Sequence, residues 1–292
     1  MKNALFLISF LEMYKKGMTL EDAIRFAHKS GFQAVEFTDA VELSQPDIQH
    51  AKELAKLCKE LNLAVPCFSM PADLGNDSWL EQVEILKRYI DVADTLGAKL
   101  FHHTLIPGLS FNGNKTLVYS KLERQIMQAV NTIQTYASKF GIRCVYEDQG
   151  FVINGVKNFE KFYKGVPLPN KGVVADLGNI YFFDEEPLKF VTHFINDIAH
   201  VHIKDYLWKK RETQNPGRSW YSTKKGNFIR GTILGHGSIE FIPIIKALED
   251  VKYDGWYSLE FDGLEDPFTA VVIGKENFEL YVENARQQNS AI

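Results

Sequence analysis

Cysteine is scarce in this chain, and the few cysteines present form no recognisable pattern. The 292 residues include three cysteines, Cys58, Cys67 and Cys144. Their odd number, their apolar surroundings and the absence of ligand-like spacing argue against both a disulfide framework and a zinc-finger site. Reduced, buried thiols in a cytoplasmic protein are expected instead.

Long apolar runs and an excess of basic residues are also missing. No stretch approaches the roughly 20 apolar residues of a membrane helix. The apolar run Ala4–Leu11 is short and lacks the basic lead and cleavage site of a secretory signal. The net charge is −4, whereas a general nucleic-acid binder usually carries a basic face. Neither a membrane nor nucleic acid is therefore expected as a partner; a small molecule is, and a homo-oligomer is compatible with the sequence.

What is present is the composition of an ordinary globular enzyme. Hydrophobic residues make up 45% of the chain and charged residues 24%, which is typical of a protein with one large core. No linker, low-complexity tract or internal repeat divides the sequence. Residues 1–292 are therefore predicted to form a single domain.

Four short apolar runs, each preceded by a helix-like segment, end in a side chain that can bind a metal ion. Runs of this kind between helical segments are typical of buried strands in a parallel sheet. The four runs are Ile142–Glu147, Gly172–Asp176, Ile198–His202 and Gly255–Glu260.

Four further runs precede them, and all eight alternate with helical patterns, which predicts an α/β fold with a single (β/α)8 TIM barrel. About 36 residues separate the His202 strand from Ile239, which predicts a long insertion after strand 7. The four earlier strands are predicted at Ala4–Ser9, Gln33–Phe37, Ala64–Phe68 and Ala98–His102.

The carboxyl ends of the strands in such a barrel meet on one face, where the active site lies. Four side chains are expected to converge there, namely Glu147, Asp176, His202 and Glu260. Two Glu, one Asp and one His suit a divalent cation that keeps open positions for water or substrate. Any one of them could instead be a helix cap or a turn former. Their common position at four successive strand ends favours a shared catalytic metal site.

Other polar residues at strand ends are candidates for substrate binding. His102 and His103 end the fourth strand, and because adjacent strand residues point to opposite sides, at most one should enter the barrel mouth. Glu36 is similarly placed, either for substrate or for a hydrogen bond at the rim of the core. Lys204 follows His202 on the same strand face, where it could bind a substrate hydroxyl or phosphate, or pair with a rim carboxylate.

The long insertion is rich in aromatic and basic residues, Arg218 and Arg230 among them. A run of charge is often only a solvated face. The segment nevertheless leaves the catalytic end of the barrel, so its cations could meet an anionic group of the substrate. We therefore expect Leu207–Arg230 either to fold over the barrel mouth as a flap or to remain a solvated loop.

These residues resemble those of the xylose isomerase-like TIM-barrel superfamily, the sugar (phosphate) isomerase and epimerase group. The resemblance spans nearly the whole chain and is carried by five motifs in order. They are Val145-Tyr146-Glu147-Asp148, Ala175-Asp176-Leu177-Gly178-Asn179, His200-Val201-His202-Ile203-Lys204-Asp205, Leu234-Gly235-His236-Gly237-Ser238-Ile239 and Tyr253-Asp254-Gly255-Trp256-Tyr257-Ser258-Leu259-Glu260.

The resemblance implies one divalent ion, Mn²⁺, Mg²⁺, Co²⁺ or Zn²⁺, bound by the four side chains named above. It also implies that Glu147 and Glu260 are the catalytic acid/base pair on either side of a sugar. An ion chelated by a ketone and its neighbouring hydroxyl would stabilise the enediolate formed when the adjacent proton is removed. The protein is accordingly expected to be a metal-dependent isomerase or epimerase of a ketose or ketose phosphate.

Departures from the family pattern bear on the substrate. Asn179 stands where many members have His, Trp208 where ketose 3-epimerases of free sugars usually have Arg, and His236 where Glu is common; Asn179 and Trp208 are kept as substrate-binding candidates. A dehydratase of an inosose- or dehydroshikimate-like substrate is the alternative on the same metal site. An abasic-site endonuclease would need more histidines and a basic face, and a sensor barrel would not need two carboxylates on one metal.

Overall fold

Eight parallel strands close into a barrel in the computed structural model, which describes residues 1–106, 118–167 and 169–290. The barrel strands are β1 (Lys2–Phe6), β2 (Ala34–Thr38), β3 (Cys67–Met70), β4 (Leu100–His103), β5 (Arg143–Glu147), β6 (Lys171–Asp176), β7 (Ile198–Ile203) and β11 (Trp256–Leu259). Three further strands, β8 (Asp205–Lys209), β9 (Tyr221–Ser222) and β10 (Phe228–Thr232), lie outside the barrel. Strands β1 to β7 follow one another around the barrel, and β11 pairs with both β7 and β1 to close it. The predicted (β/α)8 fold is confirmed.

Helices surround the barrel, and their apolar faces pack against its outer surface. In α2, the buried residues recur at helical spacing, as Leu20, Ala23, Ile24 and Ala27. This helix begins at a capping box, in which Thr19 and Asp22 each accept the other's backbone N–H. The α-helices are α1 (Leu11–Tyr14), α2 (Leu20–Lys29), α3 (Ile48–Glu60), α4 (Trp79–Leu96), α5 (Tyr119–Ala137), α6 (Val156–Gly165), α7 (Pro187–His193), α8 (Phe241–Asp250) and α9 (Pro267–Ser290).

Two strands lie a few residues from their predicted positions. Strand β1 ends at Phe6 because the chain turns into a 3₁₀ helix at Leu7, whose carbonyl accepts a hydrogen bond from the Tyr14 hydroxyl. Strand β3 begins at Cys67 rather than Ala64, because Pro66 has no N–H to donate to a neighbouring strand. Neither shift changes which end of the barrel carries the site.

The barrel interior changes from apolar to polar along the strands. Cys67, Val145 and Val174 pack together inside the barrel as a small cluster separate from the main core. Two residues further along the same strands, Ser69, Glu147 and Asp176 project to the same side, because side chains alternate in direction along a strand. The carboxyl end of the barrel therefore holds a buried polar layer.

The segment between β7 and α8 contains a three-stranded antiparallel sheet, ordered β8–β10–β9. Asp205, at the start of β8, fixes the return to the barrel. Its carboxylate accepts the backbone N–H groups of Tyr206, Gly235, Gly237 and Ile239 at 2.8, 3.0, 2.8 and 3.2 Å. A Cβ on Gly237 would collide with the same carboxylate, so the glycine-rich turn and Asp205 require each other.

Replacing Asp205 by alanine should destabilise the fold strongly. Four backbone donors would lose a charged acceptor, and we expect the free energy of unfolding to fall by about 3 kcal/mol. Denaturant titration of both proteins measures this. The control is Asp94→Ala on an exposed position of α4, which should change stability by less than about 0.5 kcal/mol. Equal effects of the two substitutions would contradict this role of Asp205.

Candidate metal centre

The structure brings Glu147, Asp176 and His202 together at the carboxyl end of the barrel, and Glu260 lies beside them. His202 Nδ1 lies 2.6 Å from Glu147 Oε1, 3.7 Å from Asp176 Oδ2 and 3.9 Å from Glu260 Oε2. The four side chains come from the ends of β5, β6, β7 and β11, so they are positioned by rigid strands rather than by loops. All except Glu260 are buried, and Glu260 is half-buried.

The donor set and its spacing fit a divalent ion. One ligand atom each from Glu147, Asp176 and His202 lies within 4.8 Å of the others. Oxygen and nitrogen ligands lie about 2.0–2.6 Å from such ions, so two ligands of one ion are separated by up to about 5 Å. Asp176 Oδ2 faces the cluster, where Lys204 Nζ lies at 2.9 Å and His202 Nδ1 at 3.7 Å, and a carboxylate oxygen with one charged donor beside it still has a lone pair for an ion. These residues could therefore hold a metal ion.

The turn after β6 directs Asp176. Its Oδ1 accepts the backbone N–H groups of Gly178 and Asn179, both at 2.8 Å, so Oδ2 is the oxygen that faces the cluster. Glycine is needed at position 178, because a Cβ there would lie 2.5 Å from the Tyr206 ring and 2.7 Å from Lys204 Cγ. The Asp-x-Gly-Asn motif thus orients a carboxylate and makes room for Lys204.

Lys204 is a buried cation at the edge of the cluster. Its Nζ lies 2.9 Å from both Asp176 Oδ2 and Glu260 Oε1. Burial alone would lower the pKa of Lys204, but the two carboxylates outweigh it and hold the pKa well above its ordinary value. Lys204 therefore stays charged, offsets part of the carboxylate charge and directs Glu260 so that Oε2 faces His202.

Both candidate catalytic glutamates have raised pKa values. Burial, opposed by Lys204, raises the pKa of Glu260 to about 7. Burial and the neighbouring Asp176 raise the pKa of Glu147 as well. Asp176 behaves differently, because the cations of Lys204 and His202 outweigh its burial and lower its pKa. Of these carboxyl groups, Glu260 has a pKa close to neutral pH and the pKa of Glu147 is shifted in the same direction, so both stay candidates for proton transfer.

His102 and Asn179 border the cluster. Asn179 Nδ2 donates to Glu147 Oε2 at 3.1 Å, which holds that side chain in place. Ser69 donates its one hydroxyl hydrogen to Glu36, so His102 Nδ1 must donate to Ser69 Oγ at 3.1 Å. His102 Nε2 is then a buried acceptor, 3.9 Å from Glu147 Oε2, and among the described residues it has no hydrogen-bond partner. Burial and the neighbouring His202 lower the pKa of His102 to about 3, so the ring is neutral.

His103 points away from the cluster. Its ring packs edge-on against Tyr146 at 5.5 Å between centroids, and its Nδ1 contacts the Thr104 carbonyl. It therefore lies between the barrel and the helices, and this position does not support a substrate-binding role. Of the two adjacent histidines, only His102 enters the barrel, as strand alternation requires.

Glu36 lies below the cluster rather than at the open mouth. It is fully buried, and both of its oxygens are engaged by neighbouring side chains. Its position favours a hydrogen-bonding role over contact with a substrate. One of its partners is His200, which the sequence analysis did not single out. The signal was available, because His200 and His202 are two residues apart on one strand and so face the same way.

The predicted substrate residues of the insertion lie away from the four candidate ligands. Trp208 is 38% exposed on β8 and Arg218 is exposed. Arg230 lies 3.8 Å from Glu265 and 5.7 Å from the Trp220 ring. Among the described residues, none of these three side chains contacts the carboxylates or the imidazole of the cluster. A role for them in substrate binding stays a prediction.

A closed eight-stranded barrel with a carboxylate and histidine cluster at its carboxyl end defines the class of protein. The chain belongs to the xylose isomerase-like TIM barrel family, whose pattern matches residues 24–279. The family predicted from the sequence motifs is confirmed.

Individual relatives carry two kinds of activity. An inosose dehydratase of Clostridium perfringens is 24% identical over 269 residues, which cover 87% of this chain and 86% of the relative. The structure of an L-ribulose 3-epimerase superposes with a TM-score of 0.76 at 17% identity and covers 100% of this chain and 98% of the other. A xylose isomerase-like barrel from Mycobacterium smegmatis, solved in complex with magnesium, gives a TM-score of 0.75 at 19% identity, with 97% of each chain covered.

Within the part of the chain that the structure describes, no helix has the length and apolar character needed to cross a membrane.

Proposed function

We propose that this protein is a divalent-metal-dependent isomerase or epimerase of a ketose or ketose phosphate. The observation that carries the proposal is the placement of Glu147 and Glu260. Their carboxylates approach His202 Nδ1 from different strands, at 2.6 and 3.9 Å, and both have raised pKa values. Such a pair can remove a proton from one carbon and return a proton to its other face or to the neighbouring carbon.

The proposed ligands of the ion are Glu147, Asp176, His202 and Glu260. A divalent ion at this position would polarise the carbonyl oxygen and so acidify the neighbouring C–H. The chain's own residues supply the remaining functions. His102 Nε2 offers an acceptor for a substrate hydroxyl, and Lys204 offers a positive charge beside Glu260. Burial strengthens each of these interactions because water is largely excluded.

A dehydratase acting on an inosose is the second candidate, supported by the relatives that share 24–26% identity over 87% of the chain. Elimination begins with the same proton removal next to a ketone. The C–O bond on the adjacent carbon then breaks, and the departing hydroxide takes a proton and leaves as water. Lys204, a charged donor 2.9 Å from Glu260 Oε1, is placed to serve a leaving hydroxyl. The position of Lys204 therefore supports a dehydratase as the second candidate function.

One experiment separates the two candidates. The Mn²⁺-loaded protein is incubated in D₂O with an inosose and with a panel of ketoses, with and without a terminal phosphate. Deuterium at a carbon next to the carbonyl of a ketose, with no loss of water, is the expected result for an isomerase or epimerase. A product lighter by one water, formed from the inosose, would instead establish a dehydratase. No exchange and no water loss with any substrate would contradict both candidates.

The insertion provides a prediction about phosphate. If Arg218 or Arg230 contacts a phosphate group of the substrate, replacing it by glutamine should raise KM for the phosphorylated ketose by one to two decades. A charge-assisted contact is worth about 1.5–3 kcal/mol, which corresponds to that range. KM for the free sugar should change little. Lys210→Gln, on an exposed position of the same segment, is the matched control. Small and equal effects on both substrate forms would make the segment a solvated surface or a subunit contact.

A further inference from the structure

A buried carboxylate links two histidines directly beneath the candidate metal centre. Glu36 Oε2 lies 2.7 Å from His200 Nε2, and Glu36 Oε1 lies 3.0 Å from His202 Nε2. Glu36 Oε1 also accepts the Ser69 hydroxyl at 2.5 Å. All four side chains are buried, and the two histidines and Glu36 are fully so. An ionised carboxylate can only accept hydrogen bonds, so both rings meet it through Nε2–H.

This contact decides which ring nitrogen of His202 faces the cluster. A neutral imidazole that carries its proton on Nε2 has its lone pair on Nδ1. His202 Nδ1 is the atom that lies within 3.9 Å of Glu147, Asp176 and Glu260 oxygens. We infer that Glu36 is a positioning residue, which fixes the tautomer and ring orientation of His202 so that Nδ1 is offered to the metal ion. The inference rests on the metal centre of the proposed function.

His200 and Ser69 explain why Glu36 can hold one orientation. They engage its two oxygens from strands β7 and β3, so the carboxylate cannot rotate without losing a hydrogen bond. On the other side, the Phe6 ring stacks on His202 with centroids 5.1 Å apart. Because a buried carboxylate that loses its partners is costly, the network stabilises a single arrangement. Ligand histidines commonly donate their second N–H to a carboxylate, and losing such a partner weakens metal binding about 10- to 100-fold.

A second metal ion at the same place is the competing interpretation. One ligand atom each from Glu36, Cys67 and His200 lies within 4.8 Å of the others. Two observations favour hydrogen bonding over a second ion. The facing atoms of Glu36 and His200 are already at hydrogen-bond distance, 2.7 Å apart. Burial also raises the pKa of the Cys67 thiol well above its ordinary value, and a neutral thiol is a poor ligand.

The first test uses the unaltered protein loaded with Zn²⁺, which is diamagnetic. Side-chain ¹⁵N NMR of the histidines reports which nitrogen carries the proton and which binds the ion. The expected result is a metal-bound Nδ1 and a protonated Nε2 for His202. Binding through Nε2 would overturn the inference without any variant being made. If the unaltered protein bound no ion at all, the proposed function itself would fail, which is a distinguishable outcome.

The second test compares ion affinity and stoichiometry by calorimetry in Glu36→Gln and Cys67→Ser. Glu36→Gln should bind Zn²⁺ and Mn²⁺ about 10- to 100-fold more weakly, and a second His202 tautomer should appear in the ¹⁵N spectrum. Cys67→Ser, a matched change in the same interior, should keep one ion with unchanged affinity. Unchanged affinity and tautomer in Glu36→Gln would overturn the inference. Two ions in the unaltered protein, with one lost in Cys67→Ser, would establish a second metal site instead.

Discussion

Replacing Glu147 or Glu260 by glutamine should each abolish turnover while the barrel stays folded. Glutamine fills nearly the same space, and at position 147 its amide can still contact Asn179 and His202. It cannot take up or release a proton near neutral pH, whereas the pKa of Glu260 is raised to about 7 and that of Glu147 is also raised. Loss of one general acid or base costs about 10²- to 10⁴-fold in rate.

The measurement is kcat at saturating Mn²⁺, so that weaker ion binding is separated from loss of proton transfer. Glu240→Gln, on an exposed residue before α8, is the matched control and should retain full activity. Thermal unfolding of all three variants should lie close to that of the unaltered protein. Turnover within a factor of a few of the unaltered protein in either site variant would show that its glutamate is not the catalytic acid or base.

Ion affinity should fall steeply as the pH is lowered. In the metal-free protein, burial acts to lower the pKa of His202, but Glu36 and the other carboxylates outweigh it and raise the pKa well above its ordinary value. The ion must then displace a proton from this ring. The pKa values of Glu147 and Glu260 are raised too, whereas that of Asp176 is lowered.

The sign of the pH effect follows from these shifts. Protons compete with the ion for His202, Glu147 and Glu260, so affinity rises with pH until those groups are deprotonated in the metal-free protein. Each displaced proton contributes up to about one decade in affinity per pH unit. Calorimetric titration with Mn²⁺ over a pH series, in buffers of different ionisation enthalpy, measures both the affinity and the protons released. An affinity independent of pH, with no proton release, would contradict this description of the centre.

The strands and the side chains at their ends could be predicted because the sequence signals for them lie within short stretches of the chain. Apolar runs give the strands, and alternation along a strand gives the direction of each side chain, so Glu147, Asp176 and His202 could be placed on one face. The same rule separated His102 from His103. Strand boundaries were less accurate where a proline or a 3₁₀ turn interrupts pairing, as at Pro66 and after Phe6.

Side chains that contact each other within the site are far apart in the sequence, so their contacts could not be predicted. Glu36 and His200 are separated by 164 positions, and they meet because β2 and β7, three strand positions apart, both project side chains into the closed barrel. How far one strand is staggered against another decides whether such side chains touch, and a single strand does not report it. For this reason the sequence leaves open whether Glu36 contacts a substrate or makes a hydrogen bond at the rim of the core.

Asn179 shows how a departure from a family pattern can be interpreted once the structure is known. The sequence marks this position only as an asparagine where many relatives have histidine. In the structure, its amide holds Glu147 Oε2 at 3.1 Å, while its backbone N–H holds Asp176 Oδ1 at 2.8 Å. Asn179 therefore orients two of the proposed ligands, which is a role that a residue with one short polar side chain on a tight turn can fill.

The most direct test of the metal centre is a crystal structure of the protein grown with Mn²⁺ and recorded at a wavelength where manganese scatters anomalously. The expected result is one anomalous peak at the carboxyl end of the barrel, about 2.0–2.6 Å from ligand atoms of Glu147, Asp176, His202 and Glu260. Nδ1 should be the His202 atom that faces the peak. No peak among these four side chains, or a peak between Glu36, Cys67 and His200 in its place, would contradict the account.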